Sequence, residues 1–391
     1  MKKDVAILTK YYKNYNYGGM LQGYALHKTI SNMGYSCDII SYDVGCNKNP
    51  VYGSLLEQCK QYGLLSAIEK VSEKAVGKCS FFIKGTLNGR RKLFDEFEAE
   101  AGTDTRYYDD SCLNELPDEY KVFVSGSDQI WNPNAVRLLY LQNFVSEHER
   151  KISYAASIGR DSFSDIEADK LIPFIKDFGH ISVREETAKK VLEHYISDPI
   201  TVVLDPTMLI PRDTWADVAS EQIVKEKYAL YYSFSDCLEV RRRTANFCRK
   251  HGLKQVMIPF AKQEFNINDN IEDCLRLDNV GPREFLSAIK NADFVFTDSF
   301  HGAVFSIIFN KQFAVFERNK SGHVSMNSRL YDLLDTFGLR ERLVQFNDNT
   351  KLHLKLINYS NVNAILEKRK AESLEFLSNS IKNGIDSAEG I

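Results

Sequence analysis

The chain has little that would tie it to a structural metal, a membrane or a nucleic acid. Its 391 residues include eight cysteines (Cys37, Cys46, Cys59, Cys79, Cys112, Cys237, Cys248 and Cys274), scattered and with no CxxC pair. That usage offers no zinc signature and no disulfide framework, and is ordinary for free thiols in a reducing compartment. Seven of the histidines (His27, His148, His180, His194, His251, His323 and His353) stand without ligand spacing, so no metal site is expected. Charge of one sign is also missing: 50 Lys+Arg face 53 Asp+Glu, a formal net charge of −3. No basic field exists to hold a nucleic-acid backbone, which excludes that partner but leaves room for a local anion pocket. No apolar run approaches the length of a transmembrane helix, and Val5–Leu8 is too short for the core of a secretory leader. The expectation is a soluble cytoplasmic protein.

What the chain does have is alternation. Hydrophobic residues make up 43% of the sequence and charged residues 26%, enough for a sizeable core and about two domains at roughly 100–200 residues each. Short β-branched runs (Val5–Leu8, Cys37–Ser41, Val122–Val124, Lys151–Ser157, Ile181–Val183, Thr201–Leu204) alternate with helical patterns from Met20–Met33 onward. The second half repeats the logic with strands Ala229–Ser233, Gln255–Ile258, Asp293–Thr297 and Phe313–Phe316, and the chain ends in one long helical pattern, Val362–Ile381. Such alternation predicts an α/β protein with parallel sheets flanked by helices. Two sets of βαβ units predict two Rossmann-like domains facing a cleft: residues 1–210, with a mostly helical insertion at about 47–116, and residues 211–391, which carry the C-terminal helix. No Pro-rich linker separates them.

Ligands of parallel α/β sheets bind outside the carboxyl ends of the strands, so the residues just past each strand are the informative ones. The turn Asn16-Tyr17-Gly18-Gly19 gives backbone freedom where a ligand can approach a helix start, or is a plain βα turn. Ser127-Asp128-Gln129 followed by Trp131 supplies the carboxylate, amide and aromatic face that sugars favour; alternatively Asp128 caps a helix and Trp131 fills the core. Phe294-Val295-Phe296 runs into Thr297-Asp298-Ser299, and a helix opens at once with Phe300, His301 and Gly302. Ser299 is placed to cap that helix, its free N–H groups form an anion site, and Gly302 removes bulk. His301 beside that site has the chemistry of a general acid or base near neutral pH. Arg160, Arg184, Arg318 and Arg329 each lie at or beyond an expected strand end. Guanidinium groups from several strand ends suit one multiply charged anion.

The segments NYGGMLQGYAL, GSDQIWNPN, KISYAASIG, ISVREE, VLDPTML and DFVFTDSFHGAVFSIIFNKQF, in that order from about Val5 to Leu339, resemble the polysaccharide pyruvyl transferase family. The resemblance implies a GT-B-like fold with the active site between two Rossmann-like domains. It also implies transfer of the enolpyruvyl group of phosphoenolpyruvate onto a sugar of a cell-surface or exopolysaccharide precursor, forming a pyruvate ketal. The family motif of Arg, apolar residue, His and small residue is matched here by Phe300, His301 and Gly302, whereas Ser299 stands in the arginine position. Another of the arginines then takes that role, or donor preference differs.

On this reading His301 is catalytic. Ser299, Phe300, Gly302, Arg184, Arg160, Arg318 and Arg329 bind the donor, and Asn16, Tyr17, Asp128, Gln129 and Trp131 face the acceptor. The donor is phosphoenolpyruvate, a substrate, and no cofactor or metal is expected. The partner is a saccharide; membrane contact would be peripheral, through a lipid-linked acceptor. Two alternatives stay open: a GT-B-type sugar-nucleotide glycosyltransferase, and a non-catalytic binding protein that retains the fold.

Overall fold

The computed structural model describes residues 2–42, 84–100, 102–235, 237–260, 273–318, 327–344 and 355–390. The first sheet is assembled from β1 (Lys3–Leu8), α1 (Tyr17–Asn32), β2 (Cys37–Tyr42), α2 (Lys84–Ala99), β3 (Thr103–Tyr108), β4 (Tyr120–Ser125), β5 (Lys151–Ala156), α3 (Asp165–Ile175), β6 (His180–Val183), α4 (Glu186–Glu193) and β7 (Ile200–Val202). The second comprises α5 (Arg212–Val218), β8 (Tyr228–Tyr232), α6 (Leu238–His251), β9 (Lys254–Met257), β10 (Cys274–Arg276), α7 (Pro282–Lys290), β11 (Phe294–Thr297), α8 (Phe300–Ile308), β12 (Gln312–Phe316), α9 (Ser328–Thr336) and β13 (Leu343–Val344). A last helix, α10 (Tyr359–Glu389), follows.

Every described strand pair is parallel. The orders are β3-β2-β1-β4-β5-β6-β7 and β10-β9-β8-β11-β12-β13. In each sheet the chain winds one way from the first strand and then the other, so β1/β4 and β8/β11 are the two topological switch points, where such sheets open a crevice. The strands at these points are sealed on both faces. Val5–Leu8, Val122–Val124, Tyr228–Tyr232 and Val295–Thr297 are all buried, which is what continuous apolar runs in a helix-covered parallel sheet predict.

Local chemistry sets the helix starts. Asn16 caps α1 by accepting from the Gly19 N–H at 3.1 Å. Ser164 and Glu167 form a capping box on α3. Pro282 opens α7 while Glu284 accepts from the Gly281 N–H at 2.9 Å. One hydrophobic core runs through both halves. Tyr17 of α1 stacks on Phe285 of α7 at 4.5 Å and 5°, and its hydroxyl donates to the Val280 carbonyl at 2.8 Å. Helix α10 ties the halves from behind. It starts against the second, where the Tyr359 hydroxyl donates to Ser306, and ends against the first, where Lys121 meets Glu389 at 2.8 Å.

Three strands depart from the sequence expectation. Thr103–Tyr108, inside the stretch expected to be mostly helical, is an edge strand beside β2. Its Thr103, Thr105, Tyr107 and Tyr108 are residues that favour a strand. β10 and β13 have three and two residues, too short for any periodicity to show. Apolar spacing within that stretch predicts helices over Ser66–Val76 and Arg91–Phe97; the second lies within α2, and the first lies outside the described residues.

Candidate active site

Loops from the carboxyl ends of the first sheet converge on the N-terminus of α8 from the second. Past β4, Gly126 has φ +155°, and a Cβ there would sit 1.8 Å from the Tyr154 carbonyl oxygen, so only glycine brings this loop so close to β5. Ser127 is then pinned. Its N–H donates to Gln22 Oε1 at 2.9 Å, and its hydroxyl lies 3.0 Å from both the Ala155 carbonyl and Asp205 Oδ2. Asp128 follows, part-exposed, with Arg184 Nη2 at 3.8 Å. Past β1, Lys10 donates from Nζ to the Gln129 carbonyl at 2.6 Å.

Past β6 stand Arg184 and Glu185, both buried. Arg184 Nη1 donates to Asp205 Oδ2 at 2.8 Å, its Nε lies 3.7 Å from Glu185 Oε1, and its guanidinium covers the Phe300 ring at 4.1 Å. Past β7, Asp205 is wholly buried and faces His301 Nε2 at 3.5 Å. His301 is placed by Ser299, whose hydroxyl accepts from the Gly302 N–H at 3.3 Å and so starts α8. Gly302 is small because a Cβ there would meet Thr297 Oγ1 at 2.4 Å. On its other side the imidazole packs against α1, where a Cβ on Gly18 would lie 1.9 Å from Nδ1. From the start of α9, buried Arg329 reaches the same group of charges, while Arg318 donates from Nε to the Asp298 carbonyl at 3.0 Å and lies over Phe234.

The electrostatics follow from this crowding. Burial alone would raise the Asp128 carboxyl, but Lys10, Arg184, His301 and Arg329 together hold it down at about 2. Burial likewise opposes ionisation of Asp205, and the contrary pull of His301, Arg184 and Thr207 keeps it well below the carboxylate range. Glu185 goes the other way, because burial outweighs Arg184 and Ser157 and raises its carboxyl. Arg329 is lowered to about 10, by burial first and then by Arg184 and Arg318 beside it. Several polar atoms of this cluster are buried with no hydrogen-bond partner among the described residues: Arg184 Nε and Nη2, Arg329 Nε, Glu185 Oε2 and His301 Nε2. Buried donors left open cost stability unless something fills them, and the three guanidinium nitrogens among these suit an anion. Among the described residues no group of three or more His, Cys, Asp or Glu is arranged to hold a metal ion.

The structure therefore gathers His301, Ser299, Phe300, Gly302, Arg184, Arg329 and Asp128 in one place, with Arg318 at its border, while Gln129 follows Asp128 with its Oε1 accepting from Asn132 Nδ2 and Asn16 serves as the cap of α1. Three expected residues do not present themselves to a ligand. Trp131 is fully buried, packed edge-on against Phe178 at 5.3 Å in the outer core of the first sheet, so it fills the core and offers no sugar a face. Tyr17 is fully buried in the stack with Phe285. Arg160 is committed to Glu167 at 2.5 Å, inside the capping box of α3. Asp205, Glu185 and Lys10 were absent from the sequence-based set. Asp205 follows β7 by three residues, so the same strand-end rule applied there points to it.

Comparison with known proteins agrees with this architecture. A sequence profile described as polysaccharide pyruvyl transferase matches residues 16–320. No curated protein matches. Among solved structures, the UDP-GlcNAc 2-epimerase of Methanocaldococcus jannaschii is similar over 94% of this chain and 92% of its own, with 12% identity and a TM-score of 0.50. A UDP co-structure of MnaA from S. aureus is similar over 94% of this chain and 87% of its own, with 11% identity and a TM-score of 0.50. At such identity the likeness speaks for the fold alone, two parallel sheets flanked by helices in the GT-B arrangement.

Proposed function

Because the chain belongs to the polysaccharide pyruvyl transferase family, and so is a transferase with a saccharide acceptor, we propose that it moves the enolpyruvyl group of phosphoenolpyruvate onto a sugar of a cell-surface or exopolysaccharide precursor. The observation that carries this reading is the set of unfilled guanidinium donors around His301. Phosphoenolpyruvate brings a carboxylate and a phosphate, two anions on one small molecule, and Arg184, Arg329 and Arg318 supply cations from three separate elements. The N–H groups of Phe300 and His301, which lack intrahelical acceptors by position, add to the cradle at the start of α8.

In the reaction His301 gives a proton to the methylene carbon, using the C=C electron pair, and C2 becomes oxocarbenium-like. A sugar hydroxyl attacks C2 and returns a proton to His301, phosphate departs with the C–O bond pair, and a second hydroxyl closes the ketal as its proton passes to the released phosphate. Asp128, ionised throughout the neutral range, faces the acceptor with Gln129 and Asn16. Residues 1–210 form the acceptor side and 211–391 the donor side. The guanidiniums meet the donor's charge, and no cofactor enters the step. Orientation between the two sheets excludes the water that would otherwise hydrolyse the activated donor.

The test is acceptor-dependent release of phosphate from phosphoenolpyruvate with a panel of lipid- and nucleotide-linked oligosaccharides, the product checked by NMR for a ketal carbon. Transfer from a sugar nucleotide, with phosphoenolpyruvate inert, would replace this reading with that of a glycosyltransferase.

A further inference from the structure

Asp205 occupies a position in the cluster that donor and acceptor binding leave unexplained. Its Oδ1 accepts from the Thr207 N–H at 3.0 Å and the Thr207 hydroxyl at 2.7 Å, which fixes the plane of the carboxylate. Its Oδ2 accepts from Ser127 Oγ at 3.0 Å and Arg184 Nη1 at 2.8 Å and points at His301 Nε2 at 3.5 Å. That last distance is long for a formed hydrogen bond, and such contacts commonly tighten only with substrate in place. His301 Nε2 is sealed from solvent and has no other acceptor among the described residues. The remaining charged groups of the cluster come from both sheets: Asp128 past β4 and Arg184 past β6, which is bonded to Asp205, from the first, and Arg329 at the start of α9, with Arg318 beside it, from the second. Helix α1 presents Gly18, which carries no charge.

We propose that Asp205 is a positioning residue that holds the proton of His301 on Nε2 and leaves Nδ1 as the nitrogen that exchanges a proton during transfer. This rests on the acid–base reading of His301 given above. An ionised carboxylate can only accept, so a ring with a bare Nε2 would set two lone pairs against each other in a dry place. Burial disfavours the charge on Asp205, yet its partners keep it ionised, so the acceptor is present at every working pH. In the protonation step the Nδ1–H bond breaks and its pair stays on Nδ1, while the new C–H bond takes the π pair of the enol. The Nε2–H bond is untouched and Asp205 stays anionic. A sugar hydroxyl later returns a proton to Nδ1. Asp205 belongs to the first sheet and His301 to the second, so the acid–base group is oriented only when both halves are seated together.

The experiment is nitrogen-15 NMR of the histidine rings in the wild-type full chain, assigned with His301→Ala and followed upward in pH until the ring is neutral. The Nε2–H tautomer is expected; the Nδ1–H tautomer would overturn the proposal, whatever the variants do. In parallel, Asp205→Asn is expected to lower kcat by at least roughly 100-fold, in the direction of the ~10⁴-fold loss that a wrong tautomer causes in the serine-protease triad. It should also shift the kcat–pH profile to lower pH, because a negative charge beside the imidazolium is gone. A folded Asp205→Asn protein with unchanged kcat and profile would equally overturn it. Retention of transfer by His301→Ala would remove the underlying reading and the proposal with it. Loss of transfer in that variant beside an Nδ1–H tautomer would remove the proposal alone.

Discussion

The two switch points carry the same kind of residue and use it in opposite ways. Past β11, buried Asp298 accepts from Ser233 Oγ at 2.8 Å, the Phe234 N–H at 2.7 Å, and the Ser235 N–H and hydroxyl at 2.9 and 2.5 Å. Its two oxygens are saturated by their own sheet, and the group stitches the ends of β8 and β11 together. The crevice of the first sheet instead meets across to α8, where Arg184 lies 3.8 Å from Asp128 and 3.7 Å from Glu185 and His301 lies 3.5 Å from Asp205, with guanidinium donors left over. A satisfied buried carboxylate stabilises; a loosely shared cluster with orphaned guanidinium atoms is a receptor waiting for charge. Topology is common to both places, and hydrogen-bond completeness separates structure from chemistry.

Substitutions at the two places should separate their roles. His301→Ala should give the largest effect, a loss of about 10³-fold in kcat with little change in melting temperature. A comparable fall in stability would move His301 to the structural side. Asp298→Asn should do the reverse. Its carboxamide NH₂ would face donors, costing about 2–4 kcal/mol in urea unfolding, while activity per folded molecule stays within severalfold.

The acid limb of stability should carry the signature of the first cluster. Asp128 has a depressed folded carboxyl, so its contribution is complete above the ordinary value of 3.8 and disappears as pH falls through about 2. That is worth about 2 kcal/mol, and Asp128→Asn should flatten unfolding free energy across this window. Gly18→Ala should cost about 1–3 kcal/mol and reduce kcat by roughly tenfold, because the new methyl must displace the His301 ring. The smallest effect is expected from Trp131→Phe. Its Nε1 has no partner in the core, so the swap should cost about 1 kcal/mol and leave KM for the saccharide unchanged. A raised KM would return Trp131 to the acceptor face.

Much of this was legible in the sequence. Strand ends read from β-branched runs led to Asp128, Arg184 and His301, because in a parallel sheet position along the chain encodes position at the crevice. What the sequence hid was direction. Ile130-Trp131 turns outward into the core, with the Trp131 N–H bonded to the Ser157 carbonyl, whereas two residues earlier Asp128 turns inward. Arg160 sits at a strand end as expected, yet Glu167 claims it through a helix cap one turn away. Asp205 stands in the sequence only within the VLDPTML segment past β7, and the approach of α8 makes it a partner of His301. That contact joins residues 96 positions apart (301 − 205) and leaves no periodic trace.

The most direct measurement is calorimetric titration of phosphoenolpyruvate into the wild-type protein and into Arg329→Gln, with no acceptor present. The account predicts clear binding by the wild type and at least tenfold weaker binding by the variant, because Arg329 is one of the open cations of the cluster. No heat from a folded, concentrated wild type, or equal affinity in the two proteins, would contradict the claim that this cluster is the donor site.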